Sequence, residues 1–374
     1  VRKITKSTGI ITTIAGIPNQ DGFSGDGGSA TSAELNAPMG LYFDELSGSL
    51  YIADSNNNRI RMVDSEGKIS TVAGNSVRTF SGDGGLATEA SLSSPQGIIG
   101  NDKGELFIAD TSNHRIRKVG TDKKISTIAG DGNDGDFKEG EEATKSPLTK
   151  PVSLAINDEG EVFFSTTGNN VAKFVLKIGT DGRLRKIAGN GAFAFSGDGG
   201  PAIDAALGGD IRIALGKDGE VYVADLTNYR IRTVNSEGII STIAGDREYG
   251  HVGDGSPAIE ALFTLPLGLS VAPNGDLYVG DDKRVRVIYS SRSCFGLNVE
   301  DPNVCSGHGK CSKTDVCTCD NGWMGIDCSI THCFGFTSNL PERVCSGRGR
   351  CVQHNKCHCQ EGFRGHQCQR SSSS

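Results

Sequence analysis

LYIADSNNNRIR (Leu50–Arg61) decides how the chain is read, because the chain writes it again. It returns as LFIADTSNHRIR at Leu106–Arg117 and as VYVADLTNYRIR at Val221–Arg232. Two eroded copies complete the set, VFFSTTGNNVAK at Val162–Lys173 and LYVGDDKRVR at Leu277–Arg286. The copies start at Leu50, Leu106, Val162, Val221 and Leu277, a period of 56 residues with one interval of 59. A fixed period of this size marks one supersecondary unit laid down repeatedly, each burying an apolar face against the next.

Other marks keep the same beat. A small-residue stop, TIAG or TVAG, closes an alternating segment at Thr13–Gly16, Thr71–Gly74, Thr127–Gly130 and Thr242–Gly245, with KIAG at Lys186–Gly189. A proline opens an apolar run at Pro38, Pro95, Pro151 and Pro266, and GGDIRIAL from Gly208 replaces it once. One period holds four short strands, predicted at Gly40–Asp44, Leu50–Asp54, Arg59–Val63 and Lys68–Ala73, separated by SGS, SNNN and SEG. Four antiparallel strands per repeat make a β-propeller blade. A sandwich leaves the period unexplained, and a helical solenoid needs a 3.6-residue apolar pattern that is absent.

Alternation puts Leu50 and Ile52 on one face and Tyr51 and Ala53 on the other, with Ala53 small enough for a neighbouring blade to approach. Asp54 then ends the strand as an Asx-type turn, the Asn56–Asn58 run accommodates left-handed backbone, and Arg59 is in reach of Asp54 as a charged pair. The same assignment extends to Asp110 with Arg115, to Asp225 with Arg230, and to Asp281. A catalytic role for these aspartates is the competing reading, but a catalytic group has no reason to recur in every blade.

About twenty residues separate successive blades, and they repeat too. FSGDGGSATSAELNAP (Phe23–Pro38), FSGDGGLATEASLSSP (Phe80–Pro95) and FSGDGGPAIDAALGG (Phe195–Gly209) are close copies, Val252–Pro266 is a worn one, and Gly135–Lys150 keeps little. The glycine-rich half reads as a tight turn containing Asp26, Asp83, Asp198 or Asp254. The second half spaces alanines three apart (Ala30 and Ala33, Ala87 and Ala90), which predicts one helical turn pressed down by its small face, with Ser29 or Thr31 as its cap. Calcium at the GDGG aspartates is a second reading, but a hard cation needs several carboxylates together and each loop offers one or two. The turn is expected to be structural and no cofactor is assigned.

The pattern P-x-G-[LI]…[LV]-[YF]-[IV]-A-D-x-x-N-x-R-[IV]-R…I-x-T-[IV]-A-G resembles the NHL repeat over residues 1 to about 290. The resemblance implies a β-propeller, usually of six blades, used mostly for binding, with a few lyase relatives. The sequence supplies five copies of the first three strands and only four fourth strands within the body. Gly9–Ala15 (GIITTIA) is the expected missing strand, closing a five-bladed ring. Val1–Ile4 (VRKI) resembles a third strand, which leaves six blades as the alternative.

All 12 cysteines of the 374-residue chain fall between Cys294 and Cys368. Such a tail on a cysteine-free body marks a boundary near Ser293 and an oxidising compartment. Cys294–Cys328 and Cys333–Cys368 each hold six, ending in C-x-C-x2-G-aromatic-x-G-x2-C. Spacing alone leaves fifteen pairings open. Both segments resemble EGF-like domains of the tenascin/teneurin type, which implies Cys294–Cys311, Cys305–Cys317, Cys319–Cys328, Cys333–Cys351, Cys345–Cys357 and Cys359–Cys368. The calcium-binding variety carries an acidic cluster before its first cysteine. SSRS and SITH stand there instead, so both modules are expected to be calcium-free. Trp323 and Phe363 are expected to pack over the C-terminal hairpins, and 369–374 reads as the start of a serine-rich linker.

The all-β layout is thus a propeller (1–290) and two modules (294–328 and 333–368). A net charge of −7 argues against nucleic acid, and no apolar run approaches a membrane span. A zinc lyase needs converging histidines, and the body has only His114 and His251, at non-equivalent places. The reading is a non-enzymatic, secreted or cell-surface protein acting in adhesion, matrix or an extracellular assembly. Its expected partners are proteins or glycans, with self-assembly included. A sensor propeller taking a small ligand or glycan is the alternative, and a propeller lyase comes last.

Overall fold

The structure is a computed structural model of the chain. It describes all residues except 6, 168–173, 291–292, 295–296, 299–301, 314–315, 322, 326, 334–335, 338–343, 354 and 372–374. Among the described residues every regular element is a strand or a short 3-10 turn.

The first full blade shows why the repeat folds as it does. Its strands are β3 (Pro38–Asp44), β4 (Ser49–Asp54), β5 (Arg59–Val63) and β6 (Ile69–Ala73), hydrogen-bonded in that order and all antiparallel. Asn58 takes a left-handed conformation (φ 53°) at the turn from β4 to β5. His114 and Tyr229 do the same in later copies, at φ 54° each, so His114 is a turn residue. The alternation predicted for β4 holds, with Ile52 and Ala53 both fully buried on opposite faces.

The next three sheets repeat this order, from Gly97–Gly100 to Ile125–Ala129, from Pro151–Ile156 to Leu184–Ala188, and from Arg212–Leu215 to Ile240–Ala244. A fifth sheet has three strands, Pro266–Val271, Leu277–Asp281 and Arg284–Ile288. The cores lie between blades. Ala53, Ile60 and Ala73 of the first blade pack with Ile98, Leu106 and Ile108 of the second, and Ala87, Ala90 and Leu92 of the intervening insert complete the cluster. Two further clusters repeat that recipe at the next two junctions. The predicted helical turn is a 3-10 turn of three residues in four of the five inserts, as at Ala30–Ser32, with no side chain capping it, and the second insert makes an ordinary turn at Ala87–Glu89 instead. Its alanines are buried as the spacing predicted at Ala30 and Ala33, Ala87 and Ala90, and Ala202 and Ala205, while in the last insert Ala261 is buried and Ala258 half-buried.

Closure differs from the expectation. The N-terminal strand β2 (Ile11–Thr13) does not complete the fifth sheet; it pairs with β1 (Arg2–Ile4) in a two-stranded hairpin. The physical reason is proximity along the chain, since a hairpin forms at less loop-closure cost than a ring-spanning pair.

The chain divides into two compact units, 1–269 with 279–285, and 270–278 with 286–374. In the second unit the cysteine-rich part is built from two-stranded pieces and one three-stranded sheet, Trp323–Met324, Ile330–Cys333 and Phe336–Thr337. Cys294, Cys305 and Cys328 cluster with Val304 and Trp323, and Cys345 and Cys368 cluster with Val344 and Phe363. So small an apolar core depends on its crosslinks.

Candidate functional site: the stapled insert loops

The residues that looked most like chemistry, the recurrent aspartates and arginines, meet at one place in each regular blade. Asp54 is fully buried at the end of β4. One carboxylate oxygen accepts the backbone N–H of Asn36 (2.7 Å). The other accepts Asn57 Nδ2 (2.9 Å) and Arg61 Nη1 (3.2 Å). Arg61, also fully buried, reaches out of the blade to the insert, where its Nη2 meets Asp26 Oδ1 at 2.7 Å. Its Nη2 donates to Ser24 O as well (3.0 Å), and Thr71 Oγ1 donates to the second oxygen of Asp26 (2.6 Å). The GDGG turn is thereby clamped onto the blade by one guanidinium between two carboxylates, a charge-assisted network buried at Asp54 and Arg61 and partly open to water at Asp26.

The partner of Asp54 is therefore Arg61 and not Arg59. Arg59 faces Asp54 across the strand pair, but its guanidinium lies over the Phe23 ring, 3.7 Å from the centroid, and donates to Asn57 O. Phe23 is the platform for both arginines, with Arg61 at 4.7 Å. Sequence reasoning missed this role of the FSGDGG phenylalanine; its recurrence opposite R-x-R was the available signal.

Two further blades are built alike. Arg117 bridges Asp110 (3.2 Å) and Asp83 (2.7 Å), with Arg115 over Phe80 at 3.8 Å. Arg232 bridges Asp225 (3.6 Å) and Asp198 (2.6 Å), with Arg230 over Phe195 at 3.9 Å. In the fifth sheet Asp281 accepts the backbone N–H groups of Thr264 and Leu265, both at 2.8 Å, and Asp254 is exposed on its insert. Burial pushes the Asp54, Asp110 and Asp225 carboxyls above the ordinary carboxylate range, against the pull of their asparagine, backbone and arginine partners.

Asp26, Asp83 and Asp198 thus each hold a guanidinium where a cation would have to sit.

The third blade departs. Thr166 stands for the aspartate and its Oγ1 accepts the backbone N–H of Phe174 (3.1 Å). Leu176 occupies the position of Arg61, and Phe137 of the insert meets Phe174 edge-on at 5.1 Å. Glu139 takes over from Asp26 by accepting Lys186 N at 3.0 Å. Val171, which replaces the first arginine of the motif, lies outside the described residues. Nearer the inner strands, Arg212 of the fourth blade donates to Gln96 of the second at 3.4 Å, and burial lowers its basicity.

Among the described residues the cysteine-rich part has the disulfides Cys294–Cys311, Cys305–Cys317, Cys319–Cys328, Cys345–Cys357 and Cys359–Cys368. The pairing expected for Cys333 falls outside the described side chains. Trp323 stacks on His308 with centroids 3.4 Å apart, and Arg348 lies over Phe363 at 4.9 Å, so corresponding positions of the two modules carry corresponding contacts.

With the blades, staples and disulfides in place, the class is defined: an NHL-repeat β-propeller followed by two EGF-like modules. The NHL part is of the teneurin kind. Residues 4–81 and 133–235 match the teneurin NHL domain, and 300–328 and 338–368 match the EGF-like domain. Mouse Teneurin-1 is 30% identical over 242 residues, 59% of this chain and 9% of that protein. Zebrafish Teneurin-3 is 30% identical over 305 residues, 70% of this chain and 11% of its own length. The chain spans about a tenth of these relatives. Among solved structures, an auxiliary nutrient binding protein from Bacteroides thetaiotaomicron superposes with a TM-score of 0.53 at 14% identity, covering 77% of this chain and 63% of that one. Virginiamycin B lyase from Staphylococcus aureus gives 0.43 at 14% identity, covering 71% of each chain. These likenesses concern the fold alone.

Proposed function

We propose that the chain is a non-enzymatic extracellular protein whose work is contact: adhesion, matrix building or packing within an assembly. The observation that carries this reading is the staple. Its aspartates and arginines recur in three blades and are spent on one another, holding the GDGG loops rigid against the blades. Rigid, repeated loops on a propeller suit recognition of another protein, since little ordering entropy is lost on binding. The disulfide-held modules support an oxidising, extracellular setting. Similarity to teneurins supports a cell-surface context with protein partners, self-association included. Among the described residues no helix is long and apolar enough to cross a membrane.

The test is bead aggregation and capture. Purified chain is coupled to beads, and clustering, binding to cells and binding to extracellular matrix proteins are scored. Clustering or saturable binding is expected. A folded chain that binds neither itself, nor cells, nor matrix would overturn the reading.

A further inference from the structure

The two cysteine-rich modules share a framework and differ in the charge it carries. In the first, Gly309–Lys313 pairs with Val316–Cys319, and in the second, Gly349–Gln353 pairs with Lys356–Cys359. The registers coincide, with Cys311 facing Cys317 in one and Cys351 facing Cys357 in the other. One step along the strands, Lys310 faces Thr318 in the first module and Arg350 faces His358 in the second. In the next hairpin Met324 faces Ile330, and its counterpart sets Arg364 against Arg370. The cystine positions are kept, and outward positions between them have turned cationic.

From Val344 to Arg370 the second module has Arg348, Arg350, Lys356, Arg364 and Arg370 against a single acidic residue, Glu361. The matching stretch of the first, Val304 to Ile330, has Lys310 and Lys313 against Asp315, Asp320 and Asp327. The basic character is local, because the whole chain has a net charge of −7. Cys351, Cys357 and Cys359 pack with Val344 in the small core. Alternation therefore turns Arg350, Lys356 and His358 to the other face of their hairpin, and all three are exposed. Arg364 and Arg370 are exposed as well, and among the described residues no ion pair engages Arg350, Lys356, Arg364 or Arg370. Arg348 lies over the Phe363 ring. Like charges set directly opposite each other destabilise a sheet. A module with so small a core loses stability by keeping Arg364 against Arg370, unless an anion screens the two.

We infer that the second module binds a sulfated polysaccharide through Arg350 and Lys356, with Arg364 and Arg370 as a second point of attachment. The inference rests on the extracellular contact reading proposed above. Disulfide-held modules belong to oxidising surroundings, where the linear polyanions are sulfated glycans rather than nucleic acids. Clustered Lys and Arg hold such a chain by releasing its counterions, and the guanidinium fork matches sulfate oxygens as it matches those of phosphate.

The probe is heparin, with dextran sulfate as a second sulfated chain and neutral dextran as the blank, titrated against the full oxidised chain at several salt concentrations. Saturable binding to both sulfated chains and none to neutral dextran is expected. Arg350→Gln with Lys356→Gln should weaken binding about tenfold or more and lower its salt dependence by about two charges, one for each cation removed. Lys103→Gln with Lys217→Gln removes the same charge from exposed positions of the propeller and should leave binding unchanged. Arg350→Lys with Lys356→Arg should retain it, which separates lost charge from lost folding. Arg364→Met with Arg370→Ile, the kind of pair the first module carries, should weaken binding while protecting the second module against reduction. No binding of either sulfated chain, or binding that the Arg350 and Lys356 double variant keeps in full, would overturn the inference. So would a preference for vesicles of phosphatidylcholine and phosphatidylserine over both polysaccharides, since a membrane surface would then be the occupant. Bead clustering or cell capture without heparin binding would remove this inference alone. Heparin binding by a chain that contacts neither itself, nor cells, nor matrix would instead remove the reading on which it rests.

Discussion

Thr166 and Leu176 stand in the third blade where the first sets Asp54 against Arg61, and both members of the pair have changed together. The logic is electrostatic. Removing one partner of a buried ion pair strands the other charge, at about 3–5 kcal/mol, while replacing both by well-packed groups is often neutral. The third blade fills the space with Leu176, Phe174 and Phe137. The second blade should tolerate the same exchange. Arg117→Leu is expected to cost about 3–5 kcal/mol because Asp110 is fully buried. Adding Asp110→Thr should recover most of that loss. Urea unfolding of the two single variants and the double variant measures the coupling; simple additivity would contradict the staple.

The two glycines flanking Asp83 should differ sharply. Both adopt positive φ, 91° at Gly82 and 83° at Gly84. A methyl group at Gly82 would lie 2.6 Å from Ala90 Cα, whereas at Gly84 nothing lies within 4 Å. Gly84→Ala is expected to cost only the left-handed backbone term, about 1–2 kcal/mol. Gly82→Ala adds overpacking against the alanine turn and should cost about 2–5 kcal/mol. Thermal unfolding of the two variants gives the order, and equal losses would show that the insert is not pressed onto its turn.

The period, the four-strand blade and the buried alanines were legible in the sequence because they are local and repeated. The ion-pair partner was not. Arg59 and Arg61 are two apart on one strand and share a face, so alternation cannot rank them. The ranking comes from the GDGG loop, which lies on Arg61 and takes its guanidinium through Asp26. Closure was likewise illegible in Gly9–Ala15, because any fourth-strand sequence fits either neighbour and only the short hairpin span to Arg2 decides. The departure of the third blade was visible at Thr166, and its compensation by Leu176 needed the strand register.

The staples and the surface pairs should respond oppositely to pH. Burial raises Asp110 above its ordinary value of 3.8 in the folded chain. A carboxyl raised by folding holds its proton more tightly when native, so its contribution is complete below the unfolded value and is lost as pH rises through the folded one. Asp181, exposed and doubly bonded to Arg185, is instead lowered to about 2. Its contribution is present above 3.8 and is lost as pH falls toward about 2. Carboxyl-carbon NMR titration should place the Asp110 midpoint above 3.8 and the Asp181 midpoint below it. The reverse order would refute the assignment of acid sensitivity to surface pairs rather than staples.

Reduction should separate the two parts of the chain. No cysteine lies between Val1 and Ser293, so the propeller owes nothing to disulfides. The EGF-like modules have small cores made largely of cystine sulfur, and losing a native bridge from such a module costs about 2–5 kcal/mol. Trp323 is the single tryptophan and stacks on His308, which makes it a reporter for the first module alone. A thiol-free reductant is expected to shift tryptophan emission to that of a solvated indole while the far-UV circular dichroism melt of the propeller stays in place. If the propeller melt falls in step with the tryptophan signal, the blades depend on the modules and their independence is wrong.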